Sequence, residues 1–228
     1  MIQDSLARIR EKITSSCAMV GRNPQEITIV AVSKGRTLAQ IREVIGEGIS
    51  DIGENKVQEA SLKAKELKTD GRQLKLHMIG HLQANKAKEA VRIFDLVQSV
   101  DSLRIARQID MQASRIGKIQ DVLIEIKTSY EATKSGINPD EAVEALAQMS
   151  AFKNVNIKGL MTIAPFFDNP ERTRPYFRML RDLQAKINAR SITREALHIL
   201  SMGMTGDFEV ALKEGSTMVR LGRAIFGT

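Results

Sequence analysis

The chain has 228 residues, 43% of them hydrophobic and 27% charged, an ordinary globular composition with enough length for one large core. Its 34 Lys+Arg against 27 Asp+Glu give +7, spread along helix-like stretches, which favours small anionic ligands, while the absence of Trp and only 4% aromatics supply base-stacking nucleic-acid platforms poorly. The single Cys17 excludes an intramolecular disulfide, no signal pattern opens the chain and no apolar run could span a bilayer, so a cytoplasmic monomer with no membrane partner is expected.

Ser5 to about Val20 carries Leu6, Ile9, Ile13 and Met19 at a helical period, with Asp4 as N-cap. The apolar, β-branched run from Ile27 to Val32 then reads as a strand buried on both faces and ending on Ser33-Lys34. Thr37 caps a helix from Leu38 to about Glu47, and Ile49 to Asn55 is the second strand. A helix over Val57–Leu67 and a strand over Leu74–Ile79 follow. Gly80-His81-Leu82-Gln83 turns into a helix to about Ile93. The fourth strand is Asp95–Val100, with Asp101-Ser102 starting a helix. The fifth is Asp121–Ile126, with a helix from Pro139 to Met149. Ile157–Ile163 is the sixth strand, and Asn169-Pro170 opens a long helix through Ile187. Leu197–Leu200, a short helix over Asp207–Glu214 and Thr217–Leu221 complete the pattern. Strand and helix alternate about eight times with no linker. That predicts an α/β fold: one (β/α)₈ TIM barrel over residues 1–228, with an extra helix ahead of the first strand. An open doubly wound sheet is the alternative.

In a barrel, functional residues come from the carboxyl ends of the strands. Those positions gather Lys34, Asn55, His77, Met161, Ser201 and Arg220. A lysine withdrawn from water can form a Schiff base with an aldehyde. After strands seven and eight, Ser201-Met202-Gly203-Met204 and Gly222-Arg223 form the pair of loops that cups phosphate in barrels, with Ser201 offering a hydroxyl and Arg223 a charge. Arg220 lies between Val219 and Leu221 and points into the barrel by strand alternation, to pair with Glu54 or Glu125 or to meet a heterocyclic ligand. A Schiff-base lysine, a phosphate cup and an inward arginine together fit pyridoxal 5′-phosphate (PLP). An arginine offers no acceptor, so the ring nitrogen it faces is unprotonated and the cofactor a weak electron sink.

Several longer motifs carry a family resemblance. They are Ala31-Val32-Ser33-Lys34, Gly53-Glu54-Asn55-Lys56-Val57-Gln58-Glu59 and His77-Met78-Ile79-Gly80-His81-Leu82-Gln83-Ala84-Asn85-Lys86. Further along come Lys134-Ser135-Gly136-Ile137, Gly159-Leu160-Met161, Leu200-Ser201-Met202-Gly203-Met204 and Gly215 to Gly222. In order and over essentially the whole chain, these resemble the pyridoxal phosphate homeostasis protein family. The resemblance implies the barrel of alanine racemase without its second β domain, with Lys34 as the aldimine lysine and Arg220 at the pyridine nitrogen. It also implies phosphate contacts from Ser201, Gly222 and Arg223, and Asn55 near the ring hydroxyl. It implies a non-catalytic holder of PLP in vitamin B6 and amino-acid homeostasis, with apo PLP-dependent enzymes as recipients. Leu76 departs from the pattern, standing where relatives often carry an aromatic at the pocket wall.

A slow amino-acid racemase is the alternative, but that chemistry needs a proton donor or acceptor on each face of the reacting carbon. Only His77 offers itself opposite Lys34. A salt-sensitive RNA-binding barrel is a second alternative. His77 and His81 lack the further ligands a metal needs. Lys134 is a rival Schiff-base lysine ranked below Lys34. The run from Lys63 to Lys68 reads as a solvated helix face.

Overall fold

The computed structural model describes residues 1–67, 74–129 and 135–227. Its strands β1 (Thr28–Val32), β2 (Asp51–Glu54), β3 (Lys75–Met78), β4 (Leu96–Val100), β5 (Gln120–Glu125), β6 (Val155–Met161), β7 (Ile199–Ser201) and β8 (Met218–Leu221) close into a barrel in sequence order. Every neighbouring pair is parallel. The β8–β1 pairing, Thr28 opposite Met218 through Ala31 opposite Leu221, decides for the closed barrel over the open sheet.

The helices α1 (Ile2–Ala18), α2 (Leu38–Gly46), α3 (Val57–Leu67), α4 (Ala87–Ile93), α5 (Leu103–Ser114), α6 (Pro139–Met149), α7 (Arg174–Ala189), α8 (Phe208–Lys213) and α9 (Arg223–Phe226) pack outside the strands or at their ends. Strand alternation sorts the apolar residues into two shells. Ile52, Leu76, Val97, Ile124 and Leu160 face the helices in the large outer core. Val30, Leu96, Leu123, Met161 and Met218 form a small core inside the barrel. The extra helix α1 buries Leu6, Ile9, Ile13 and Cys17, so the lone thiol is part of the core. Burial raises the Cys17 pKa, as suits a structural thiol. The departure at Leu76 therefore falls in the outer core and leaves the mouth of the barrel untouched.

Several element ends differ from expectation, each for a local reason. Asp4 lies within the first turn of α1 and is not its cap. β1 stops at Val32, short of Lys34, because Arg36 N–H donates to Ser33 O (3.0 Å) and closes a turn around Lys34 and Gly35. Gly35 takes φ +69° there, a value that favours glycine. β6 ends at Met161, not Ile163: Thr162 O accepts from Arg220 (2.8 Å) and Thr162 Oγ1 donates to Ile126 O (2.8 Å). β7 begins at Ile199, not Leu197, whose N–H is taken by Asn188 Oδ1 of α7 (2.8 Å). Both α4 and α7 are entered through a 3₁₀ turn, Ala84–Lys86 and Pro170–Thr173 respectively. Thr37 caps α2 in a full capping box with Gln40.

Candidate functional site at the barrel mouth

The lysine turn is held by a buried clasp. Lys63 of α3 sends its Nζ to Ser33 O (2.6 Å), Glu54 Oε1 (2.7 Å) and Glu59 Oε1 (2.7 Å). Ser33 Oγ donates to Glu54 Oε1 (2.5 Å), and Gly35 N–H donates to Glu59 Oε1 (2.8 Å). The residues on either side of Lys34 are thus fixed by one cation and two carboxylates. Lys63 is only 12% exposed, which corrects its reading as part of a solvated face. The Lys68 end of that run lies outside the described residues. Burial raises the Glu54 carboxyl even against the pull of Lys63 and Ser33, and its Oε2 is buried without a partner among the described residues. Lys34 itself is exposed in the turn beyond β1. The expected desolvation by a buried strand is therefore corrected: the strand ends too early to enclose the amine.

Arg220 points into the barrel, 4% exposed, as strand alternation implies. Its Nη1 donates to Ser201 Oγ (2.6 Å) and its Nη2 to Thr162 O (2.8 Å). Neither expected carboxylate hydrogen-bonds to it. Glu54 belongs to the lysine clasp, while Glu125 faces Arg220 through its charge only. Burial lowers the Arg220 pKa to about 10, opposed by Glu125 and Asp207, so the guanidinium stays charged at neutral pH. Burial pushes the Glu125 carboxyl up to about 7; Asp101 adds to the rise, and Arg220 and His81 oppose it.

Three sequence-predicted residues are placed differently from expectation. The Ser201 hydroxyl turns inward and donates to Gln98 Oε1 (2.7 Å) while accepting from Arg220. Its single proton is committed to Gln98 in this arrangement rather than aimed at the mouth. His77 sits within β3, not at the mouth, with Nε2 on Asp51 Oδ1 (3.0 Å) and Nδ1 on Gln98 Nε2 (2.9 Å). Gly203 has φ +95°, and a Cβ there would come within 2.6 Å of Ala211 Cβ, so packing against α8 accounts for that glycine. Its carbonyl also accepts Arg220 N–H (3.0 Å).

Met161 ends β6 inside the barrel. Asn55 lines a cavity of about 290 Å³ at the ends of β2, β3, β5 and β6, together with His81, Glu125, Thr128 and Ser129. Gly80 presses on it: a Cβ there would lie 2.4 Å from Asn55 O. Gly222 and Arg223 start α9, and a Cβ on Gly222 would sit 3.5 Å from Val32 Cβ, which sets this loop beside the end of β1. Arg36 joins the two, donating to Gly227 O (2.7 Å) and stacking 5.4 Å from the Phe226 ring centroid. Sequence reasoning missed Thr205. Its Oγ1 accepts Ala224 N–H (3.2 Å) and bridges the loops after β7 and β8. A hydroxyl two residues beyond Gly203, in a loop already singled out, was the available signal. Lys134 lies outside the described residues.

Comparison with known proteins agrees with this architecture. Residues 5–228 match the family model described as alanine racemase, N-terminal domain. A relative from Aquifex aeolicus (strain VF5), named pyridoxal phosphate homeostasis protein, is 39% identical over 224 residues, covering 98% of this chain and 96% of its own. One of the same name from Escherichia coli (strain K12) is 38% identical over 230 residues, covering 99% of this chain and 96% of its own. The structure of PipY from Synechococcus elongatus PCC7942 with PLP bound superposes with a TM-score of 0.87 at 35% identity, covering 100% of both chains.

Proposed function

Because the chain belongs to the pyridoxal phosphate homeostasis protein family, we propose that it holds PLP at the barrel mouth without turning over a substrate. In this reading it keeps the vitamin B6 cofactor available in the cytoplasm, hands it to apo-enzymes that need it, and so touches amino-acid homeostasis.

The observation that carries the reading is Arg220. Its buried guanidinium is bonded only to a hydroxyl and a carbonyl, and its other N–H groups have no hydrogen-bond partner among the described residues. A ligand nitrogen with a lone pair fits those donors. The rest of the mouth suits the same ligand. When bound, PLP supplies an aldehyde that condenses with a primary amine, and Lys34, exposed on its clasped turn, is the amine we assign to it. Gly222, Arg223 and Thr205 would hold the phosphate, with the Thr205 O–H donating because its oxygen already accepts from Ala224. Asn55 would meet the ring edge from β2. Replacing Thr205 by Val is expected to weaken PLP binding about tenfold or more, the worth of one hydrogen bond to a charged group, measured by absorbance titration.

The geometry disfavours a racemase. His77, the sequence candidate for a second proton-transfer group, has both ring nitrogens engaged inside the barrel. Tyr176 stacks on Phe167, 6.0 Å between ring centroids, and Tyr130 lies outside the described residues. Among the described residues no helix is long and apolar enough to cross a membrane.

The test is chemical. The purified protein is mixed with PLP, its visible spectrum recorded, the adduct reduced with borohydride and the labelled peptide mapped. A yellow protein carrying the pyridoxyl group on Lys34 is expected. A label on Lys134 instead would move the site, and a protein that stays colourless would end the PLP reading.

A further inference from the structure

Between the mouth and the floor of the barrel runs a single file of polar side chains, buried from Arg220 to His77 and reaching the surface at Asp51 and Ser50. Arg220 Nη1 meets Ser201 Oγ (2.6 Å), Ser201 Oγ meets Gln98 Oε1 (2.7 Å), and Gln98 Nε2 meets His77 Nδ1 (2.9 Å). His77 Nε2 meets Asp51 Oδ1 (3.0 Å), and Asp51 Oδ2 takes the Ser50 hydroxyl (2.7 Å). The file crosses β8, β7, β4, β3 and β2. It ends at a second cavity, about 390 Å³, lined by Asp51, Arg10, Thr14 and Gln25 at the amino ends of the strands.

Chemistry gives every member one role. A guanidinium only donates, so Ser201 Oγ accepts and its own proton must go to Gln98 Oε1. That orients the Gln98 amide, whose NH₂ is left to donate to His77 Nδ1 and to Met218 Sδ (3.2 Å). His77 Nδ1 is therefore an acceptor, and Nε2 carries the proton that goes to Asp51. Burial alone would raise the Asp51 carboxyl, but the hydrogen bonds from His77 and Ser50 outweigh it and hold Asp51 below the usual carboxylate range. The charges facing Arg220 from neighbouring elements, Glu125 and Asp207, act on it without a hydrogen bond. Ser201 Oγ and Thr162 O are thus what fixes the direction of the guanidinium. Ser201 is fixed in turn by Gln98, and Gln98 by His77.

We propose that Gln98 and His77 are positioning residues for Arg220, forming with Ser201 and Asp51 a one-directional hydrogen-bonded strut that sets the guanidinium at the mouth from the opposite end of the barrel. Leaving any member unmatched strands a buried donor or acceptor, so the strut holds or reorients as a unit. Its effect on the cofactor rests on the proposed PLP reading; its effect on Arg220 does not.

The experiment therefore has two readouts on ¹⁵N-labelled full-length protein. The first is nuclear magnetic resonance without cofactor. The wild type should show His77 as the Nε2–H tautomer and Arg220 with resolved, rotation-hindered guanidinium N–H signals. Gln98→Glu, nearly the same size, places two acceptors where the amide stood and should force a proton onto His77 Nδ1. Gln98→Leu should average the Arg220 signals. The second readout is PLP titration, where Gln98→Leu should weaken binding about tenfold and move the visible absorption band. Ser99→Ala is the control, since Ser99 Oγ is buried without a partner among the described residues and lies outside the strut. Should Gln98→Leu fail to fold, Gln98→Glu carries both readouts. A wild-type His77 in the Nδ1–H form, or Arg220 signals unchanged by either Gln98 variant, overturns the strut. A wild type that binds no PLP overturns the function proposed above, while the resonance readout still decides the strut.

Discussion

Gly159→Ala is expected to cost about 3 kcal/mol or more and to lower the melting temperature by roughly 10 °C, read by circular dichroism. The reason is a main-chain approach. Gly159 lies in β6 opposite Ile199 of β7, and a Cβ built on it would lie 2.0 Å from Ile199 O and 2.7 Å from Ile199 C. No side chain can rotate away to make room, because the obstacle is the neighbouring strand itself. The site is also where β6 shifts register against β5, with Val122 opposite Ile157 but Leu123 opposite Gly159. Lys158 is the additional residue, and its carbonyl accepts His198 N–H (3.0 Å). Forcing β6 from β7 would also disturb Thr162 and Ser201, the two acceptors of Arg220 at the ends of these strands. Gly46→Ala is the matched control: nothing lies within 4 Å of its added Cβ, and it sits in α2, where alanine is the better helix former. A Gly159→Ala protein as stable as Gly46→Ala would mean that the two strands stand further apart than described.

The barrel was legible because its strands are short apolar runs that need cover on both faces, and their alternation with amphipathic helices leaves few other topologies. Arg220 was legible for a related reason: a charge between Val219 and Leu221 in a strand must turn to the other face. The interior file was not. Gln98 and Ser99 break an apolar strand visibly, but only the registers of β2, β3, β4, β7 and β8 decide that Gln98 meets His77 and Ser201. Ser201 was misread on the same ground, since a hydroxyl at a strand end can face the mouth or the core. Lys63 belongs to a helix whose charges look solvated, and its three acceptors come from two other segments and its own helix. Thr205 drew no notice beside its glycines, because its value lies in reaching Ala224 across the mouth.

Glu125→Gln is expected to stabilise the protein at pH 8 and to leave its stability unchanged below about pH 4. Burial, reinforced by Asp101, raises the folded carboxyl from 4.5 to about 7, with Arg220 and His81 pulling the other way. Glu125 is 7% exposed and its carboxylate has no hydrogen-bond partner among the described residues, so solvent screens it little. The sign follows from proton uptake. Between 4.5 and about 7 the folded carboxyl keeps a proton that the unfolded one has released, so stability falls as pH rises through this window. Above it the protein carries a buried charge whose cost, at about 1.4 kcal/mol per pH unit across the gap, is roughly 3 kcal/mol. Glutamine keeps the shape and never ionises, so the variant should lack that slope. Its advantage in chemical denaturation should open from pH 5 upward and level off near pH 8. The opposite result, a wild type more stable than the variant at pH 8, would mean that attraction to Arg220 outweighs desolvation. Glu125 and Arg220 would then act as a closed ion pair at the mouth, and a ligand nitrogen would have to compete with a carboxylate for the guanidinium on which the proposed function turns.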